Sequence, residues 1–250
     1  MKGEAVNYIV LDLEVLRSPE DCQHCEKPEA EHFRDRQCKP PIGWRELPVD
    51  WHPPMALKMT QFSPIGWGNK PALGLSIGCY YDSQDGIIHW FDVHTLQATV
   101  QHFVERQPLL ASFNGVTFDF VLMRGLLRRH AETLPPEEAA PLIALCDTFK
   151  AHCAGSYDIL AEVWKASPES RMAKGLNGLN SLAQANGLGG KTGSGVEAPR
   201  LWAAGRVAEV MNYCANDVYL TRALFDLVML GEPIKRSDGS ALLLPKPYMK

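Results

Sequence analysis

The alternation of apolar and polar positions divides the chain into regular and irregular stretches. Residues 6–14 (Val-Asn-Tyr-Ile-Val-Leu-Asp-Leu-Glu) form a short apolar, β-branched run ending in acids, the pattern of a buried strand. From about Arg17 to Pro71 no helical or strand period persists, and Pro, Cys, His and Trp are frequent. A segment of that length without regular structure is unusual inside a compact domain, so it needs its own means of ordering or is mobile.

Periodicity resumes at residues 72–81, which predict a second strand. The turn sequence Asp82-Ser83-Gln84-Asp85-Gly86 leads to a third strand over 87–91, giving a hairpin. Residues 95–106 predict a helix and 109–113 a fourth strand. From Phe118 to about His130, Phe118, Val121, Leu122, Leu126 and Leu127 share a helical face, and Pro135-Pro136 breaks the run. A further strand is predicted in 142–149, with short helices near 157–166 and 176–186. A Gly-rich loop over 187–195 leads into a helical region from about 197 to 230, and the Pro-containing tail from Gly231 predicts extended chain. Strands first, then helices with an interleaved strand, indicate an α/β sheet with helices packed on it. The length of 250 residues fits one elaborated domain, with 17–71 as an insert.

The acids that interrupt this pattern carry the chemistry. Residues two apart on a strand share a face, so Asp12 and Glu14 can reach one cluster. Asp119 follows a strand and an Asn114-Gly115 turn at the start of a helix, where a carboxylate gains from the helix dipole. Tyr213 and Asp217 are four apart on one helical face, and Asp217 borders an apolar stripe of Val210, Cys214, Val218, Thr221 and Phe225. Each piece has a bland reading as a strand end, a cap or a surface pair. Their joint occurrence in this order points instead to a site for two divalent cations, Mg²⁺ or Mn²⁺, which take carboxylate ligands and hydrolyse phosphodiesters. A tyrosine beside such a site can orient the attacking water or accept its proton.

The pattern Asp12-X-Glu14, then Asn114-X-X-X-Phe118-Asp119, then Tyr213-X-X-X-Asp217 resembles the DEDD 3′–5′ exonucleases of the ribonuclease H-like fold. Tyr213 points to the DEDDy subgroup, and Tyr213-Cys214-Ala215-Asn216-Asp217-Val218 is similar to exonucleases related to the proofreading domain of family B DNA polymerases. The resemblance covers residues 6–14 and about 72–230. It implies a ribonuclease H-like mixed sheet flanked by helices, with Asp12, Glu14, Asp119 and Asp217 holding two metals and Tyr213 positioning the water. It further implies that Asn114 and Phe118 approach the 3′-terminal nucleotide of single-stranded nucleic acid, DNA before RNA. Rival readings are an RNA exonuclease resembling ribonuclease D and a non-catalytic nucleic-acid-binding module.

The Cys/His-rich insert is outside this pattern. Cys22-X2-Cys25-X6-His32-X5-Cys38 matches the ligand set of a structural Zn²⁺ site, with His24 and His52 competing with His32. Zinc would supply the folding free energy that a Pro-rich segment lacks. A loop with incidental cysteines is the even alternative. Trp44, Trp51 and Trp67 could stack on exposed bases or serve as a small aromatic core.

Ala185-Asn-Gly-Leu-Gly-Gly190-Lys191-Thr192 nearly spells a phosphate-binding loop of nucleotide hydrolases, but that motif works between a strand and a helix, and the residues before it read as helix. Gly187 as a helix stop, with Lys191 contacting nucleic-acid phosphate or solvent, fits better. Arg124, Arg128 and Arg129 are a further candidate phosphate rim, or a solvated face.

The net charge of -4 provides no global attraction to nucleic acid, so binding must be local. Nothing at Met1-Lys2-Gly3-Glu4 resembles a signal peptide, and no apolar run approaches the roughly 20 residues of a membrane span. Seven cysteines at these spacings do not suggest a secreted disulfide framework, so a cytoplasmic protein is expected.

Overall fold

The computed structural model describes residues 6–19, 21, 65–173 and 175–247. The zinc candidates Cys22, Cys25, His32 and Cys38, their competitors His24 and His52, and Trp44 and Trp51 lie outside these residues.

A mixed five-stranded sheet is flanked by helices on both faces. Its strands are β1 (Tyr8–Val15), β2 (Leu75–Asp82), β3 (Ile88–Phe91), β4 (Leu109–Ser112) and β5 (Tyr157–Asp158), in the order β3-β2-β1-β4-β5. β2 pairs antiparallel with both β1 and β3, whereas β4 runs parallel to β1 and β5 parallel to β4. β2 therefore runs opposite to the other four.

The period-2 pattern of β1 divides its side chains between two cores. Ile9, Leu11, Leu13 and Val15 pack into one cluster with α1 (Lys70–Leu73), α2 (Leu96–Arg106), α3 (Asp119–Ala131) and α4 (Pro136–Cys153). Val10 faces the other, with α5 (Ile159–Ala166), α6 (Leu179–Ala185) and the long α8 (Val207–Leu230). The 3₁₀ helix Pro168–Met172, the short α7 (Ala198–Ala203) and the hairpin of β6 (Ile234–Lys235) and β7 (Ala241–Leu242) complete the described elements.

Two expectations are corrected. The strand expected in 142–149 is the middle of helix α4. Its buried residues Ala139, Leu142, Leu145, Cys146, Phe149 and Cys153 follow a helical period, with a proline at the helix start and Glu137 and Glu138 in the first turn. The helical region from 197 is two helices: α7 ends at Ala203, and Gly205, with φ +74°, separates it from α8. α1, at the end of the expected irregular segment, adds a helical turn there, and β5 precedes the helix expected over 157–166. No helix among the described residues is long and apolar enough to cross a membrane.

Candidate active site

β1 and β4 pair only over Tyr8–Val10 and Leu109–Ala111. Beyond that point β4 ends at Ser112 and the chain turns away, leaving a crevice beside the second half of β1, at the carboxyl ends of both strands. That is where open α/β sheets bind ligands. Asp12 and Glu14 stand in it on the face toward α8, and Asp119, the first residue of α3, enters from the β4 side. Asp217 and Tyr213 reach it from α8. All five line one cleft of about 600 Å³, together with Asn114, Phe118 and Lys191. The sequence-predicted site residues among the described positions thus meet in one place.

The turn before Asp119 is built around a residue that sequence reasoning missed. Asn114 adopts φ +71°, an uncommon left-handed conformation that Asn tolerates. Its N–H donates to Asp158 Oδ1 at 2.9 Å, and the Val116 N–H donates to Asp158 Oδ2 at 3.1 Å. The same carboxylate caps α5 by accepting from the N–H groups of Leu160 and Ala161. Asp158 therefore ties the Asn114–Asp119 turn to β5. An Asp just before a helix signals a cap from sequence, but its second pair of donors lies 42 and 44 residues away. Gly115 is required because a Cβ there would lie 2.5 Å from Ser112 Oγ and 3.3 Å from Asp119 Oδ2.

Glu14, Asp119 and Asp217 are buried, while Asp12 keeps partial exposure in the cleft. Burial is the main force holding all four carboxyls above their usual range, and repulsion from neighbouring carboxylates adds to it at Asp12, Glu14 and Asp119, whereas Lys191 opposes it at Asp217. Asp119 is pushed up to about 7 by burial and the charges of Asp158 and Asp217, against the opposing pull of its own backbone N–H and that of Leu13. Burial and the neighbouring carboxylates also raise Tyr213 far above the usual phenol range.

Lys191 supplies a positive charge to this group. Its ammonium pairs with Asp217 Oδ2 and donates to Tyr213 Oη at 3.0 Å. The Gly-rich loop is tied in place: the Lys191 N–H donates to Asn180 Oδ1 at 2.9 Å, and Asn216 Nδ2 donates to the Gly190 carbonyl at 3.2 Å. A Cβ on Gly193 would lie 3.0 Å from the Tyr213 ring, so the loop crosses that ring closely. Because helix α6 precedes the loop, the strand-to-helix setting of a nucleotide-hydrolase phosphate loop is absent here among the described residues. Arg128 pairs with Asp147 and Arg129 donates to the Pro71 carbonyl at 2.8 Å. Neither they nor Arg124 lines the cleft.

The residues present suit a divalent cation. Asp12, Glu14 and Cys214 each offer a ligand atom within 4.8 Å of the other two. Contact with Cys79, 3.4 Å between sulfurs, and burial push the Cys214 thiol up, which leaves the two carboxylates as the better donors for a hard cation. Asp217 Oδ1 is buried without a hydrogen-bond partner, an unsatisfied acceptor of the kind a cation would complete. No protein-family model matches the chain, and no curated protein matches it.

Proposed function

We propose that the chain is a metal-dependent 3′–5′ exonuclease of the DEDDy type, acting on single-stranded nucleic acid, with DNA favoured over RNA. The observation that carries this reading is the convergence of Asp12, Glu14, Asp119 and Asp217 with Tyr213 in one crevice at the carboxyl ends of the central strands. The strand order β3-β2-β1-β4-β5 with β2 reversed supports a ribonuclease H-like fold.

Asp12, Glu14, Asp119 and Asp217 would hold two Mg²⁺ or Mn²⁺ ions. When bound, such ions lower the pKa of the attacking water and stabilise charge on the leaving oxygen. The chain's own groups then orient the reactants. Tyr213, whose phenol burial raises in the metal-free site, stands where its hydroxyl can hydrogen-bond and orient the attacking water. Lys191 balances part of the acidic charge and can turn to a substrate phosphate once cations neutralise the carboxylates. Asn114 and Phe118, held by Asp158, form the wall that meets the 3′-terminal nucleotide.

The test is digestion of 5′-labelled single-stranded DNA and RNA oligonucleotides of matched sequence with Mg²⁺ or Mn²⁺. A ladder shortening from the 3′ end, with mononucleotide products and dependence on Asp12, is expected. Failure to shorten either polymer would overturn the reading. Trimming of RNA alone would transfer it to an RNA exonuclease resembling ribonuclease D.

A further inference from the structure

Two bound cations would neutralise the acids of the cleft, but the chain as a whole carries a net charge of -4, and Lys70 and Lys191 are the cationic side chains among the described residues lining the cleft. With so little counter-charge for a phosphate backbone, contacts that ignore charge gain importance. Aromatic stacking on bases is the main such contact for single strands.

Trp67 has the properties for it. It lines the same cleft as the acids, yet 49% of its surface is exposed. Its ring centroid is 5.8 Å from that of Phe118, at an interplanar angle of 60°. A base sandwiched between two rings needs about 7–8 Å, twice the contact distance between carbons. No base fits between the two rings, so the exposed half of Trp67 is the surface left for a ligand. Lys70 lies beside it, its ammonium 6.0 Å from the Phe118 ring centroid.

The residues flanking Trp67 are tied to the rest of the fold. Ile65 is buried, and its N–H donates to the Asp21 carbonyl at 2.9 Å, while the Gly66 N–H donates to the Pro19 carbonyl at 2.8 Å. The Arg17 N–H donates to the Leu73 carbonyl at 2.9 Å, stitching the end of β1 to α1. Pro71 packs so tightly on α3 that a Cβ at Gly125 would lie 2.2 Å from its Cγ. Trp67 and Lys70 thus sit on a stem clamped to the helix that carries Asp119.

We infer that Trp67 is a stacking platform for a nucleobase of the single-stranded end, with Lys70 meeting the adjoining phosphate. Trp67 and Lys70 then supply part of one wall of the substrate site. This rests on the exonuclease reading above and assigns that site a base-binding contact outside the acidic motifs.

The test is fluorescence anisotropy of a 5′-labelled single-stranded DNA with Ca²⁺ in place of Mg²⁺, using the full chain and its Trp67→Ala, Trp67→Phe and Lys70→Ala variants. The DNA carries either all its bases or an abasic residue at each of the last three positions in turn. Trp67→Ala is expected to weaken binding about 5- to 100-fold, and Trp67→Phe to retain most of it. At one position the abasic DNA should bind the wild type more weakly but lose nothing further with Trp67→Ala. Lys70→Ala should weaken intact and abasic DNA alike and flatten the salt dependence. Thermal melting of each variant reports folding, and Trp67→Phe keeps the aromatic volume if Trp67→Ala unfolds. Equal binding by wild type and Trp67→Ala, or an equal loss with intact and abasic DNA at every position, would overturn the platform. If the wild type binds and trims DNA while either result holds, only the platform falls. If it neither binds nor trims, the exonuclease reading falls and the platform with it.

Discussion

The ammonium of Lys191 stands 3.0 Å from Tyr213 Oη and pairs with Asp217, the two α8 residues of the acidic cluster. Its charge lowers the cost of ionising Asp12, Glu14 and Asp217. Lys191→Met should remove that compensation, destabilise the metal-free protein near pH 8 and tighten Mn²⁺ binding on the order of tenfold. Calorimetric titration with Mn²⁺ checks this. Unchanged or weaker affinity would show that the lysine does not compete with cations.

Asp12→Ala and Asp217→Ala should each abolish Mg²⁺- or Mn²⁺-dependent nuclease activity while the chain stays folded. Asp119→Asn should abolish activity too, yet raise the melting temperature of the metal-free protein near pH 8, because it removes a buried charge from a crowded group. For a chain of this size each kcal/mol gained shifts melting by about 2–4 °C. Paired melting and nuclease assays separate the two effects, and a lower melting temperature for Asp119→Asn would refute the crowding argument.

The same crowding sets a pH dependence. Asp119 rises from 3.8 to about 7 on folding, so the folded chain binds the proton more tightly than the unfolded one. The penalty is absent below the unfolded value, grows as pH rises between the two, and is complete above about 7. The metal-free protein should lose stability from about pH 5 to about pH 8, and the gain from added Mg²⁺ should be larger at the higher pH. Melting in chelator and in Mg²⁺ at both pH values tests it; a gain that is the same at both would contradict it.

Tyr213→Phe deletes the hydroxyl and leaves the ring. A fall in kcat of about 10- to 100-fold is expected for the loss of one hydrogen bond to the attacking water. Because a phenol that orients the water by a hydrogen bond takes no proton from it, the shape of the pH–rate profile should not change. A variant that loses one ionisation from that profile would make Tyr213 a base after all.

Asp158 accepts four backbone N–H groups, from Asn114, Val116, Leu160 and Ala161. Asp158→Ala should cost about 3 kcal/mol, since hydrogen bonds to a charged group contribute roughly 1.5–3 kcal/mol each and are not additive. That corresponds to a fall of roughly 6–12 °C in melting temperature. Activity should drop with it, as the turn carrying Phe118 and Asp119 loses its anchor. Asp158→Asn, which keeps an acceptor, should recover part of both.

By itself the sequence determined the elements and the composition of the acidic group. The two-residue spacing of Asp12 and Glu14 and the four-residue spacing of Tyr213 and Asp217 fix which side chains share a face, because those periods follow from the backbone. The apolar run at 142–149 misled: a short run fits either element, and Pro136 with Glu137 and Glu138, six residues upstream, marks the helix. Only the tertiary structure decided what those faces meet. The β1–β4 pairing ends at Val10, which opens the crevice, and Asp158 closes a turn from 42 residues away. From sequence Lys191 is a candidate phosphate contact or a solvated loop lysine, and Trp67 a candidate base-stacking residue or part of an aromatic core. They became parts of the acidic cleft because Asn180 and Asn216 fix one loop and Pro71 on Gly125 fixes the other stem. Local periodicity is written in neighbouring residues, whereas such contacts join segments far apart in the chain, and no spacing rule encodes them.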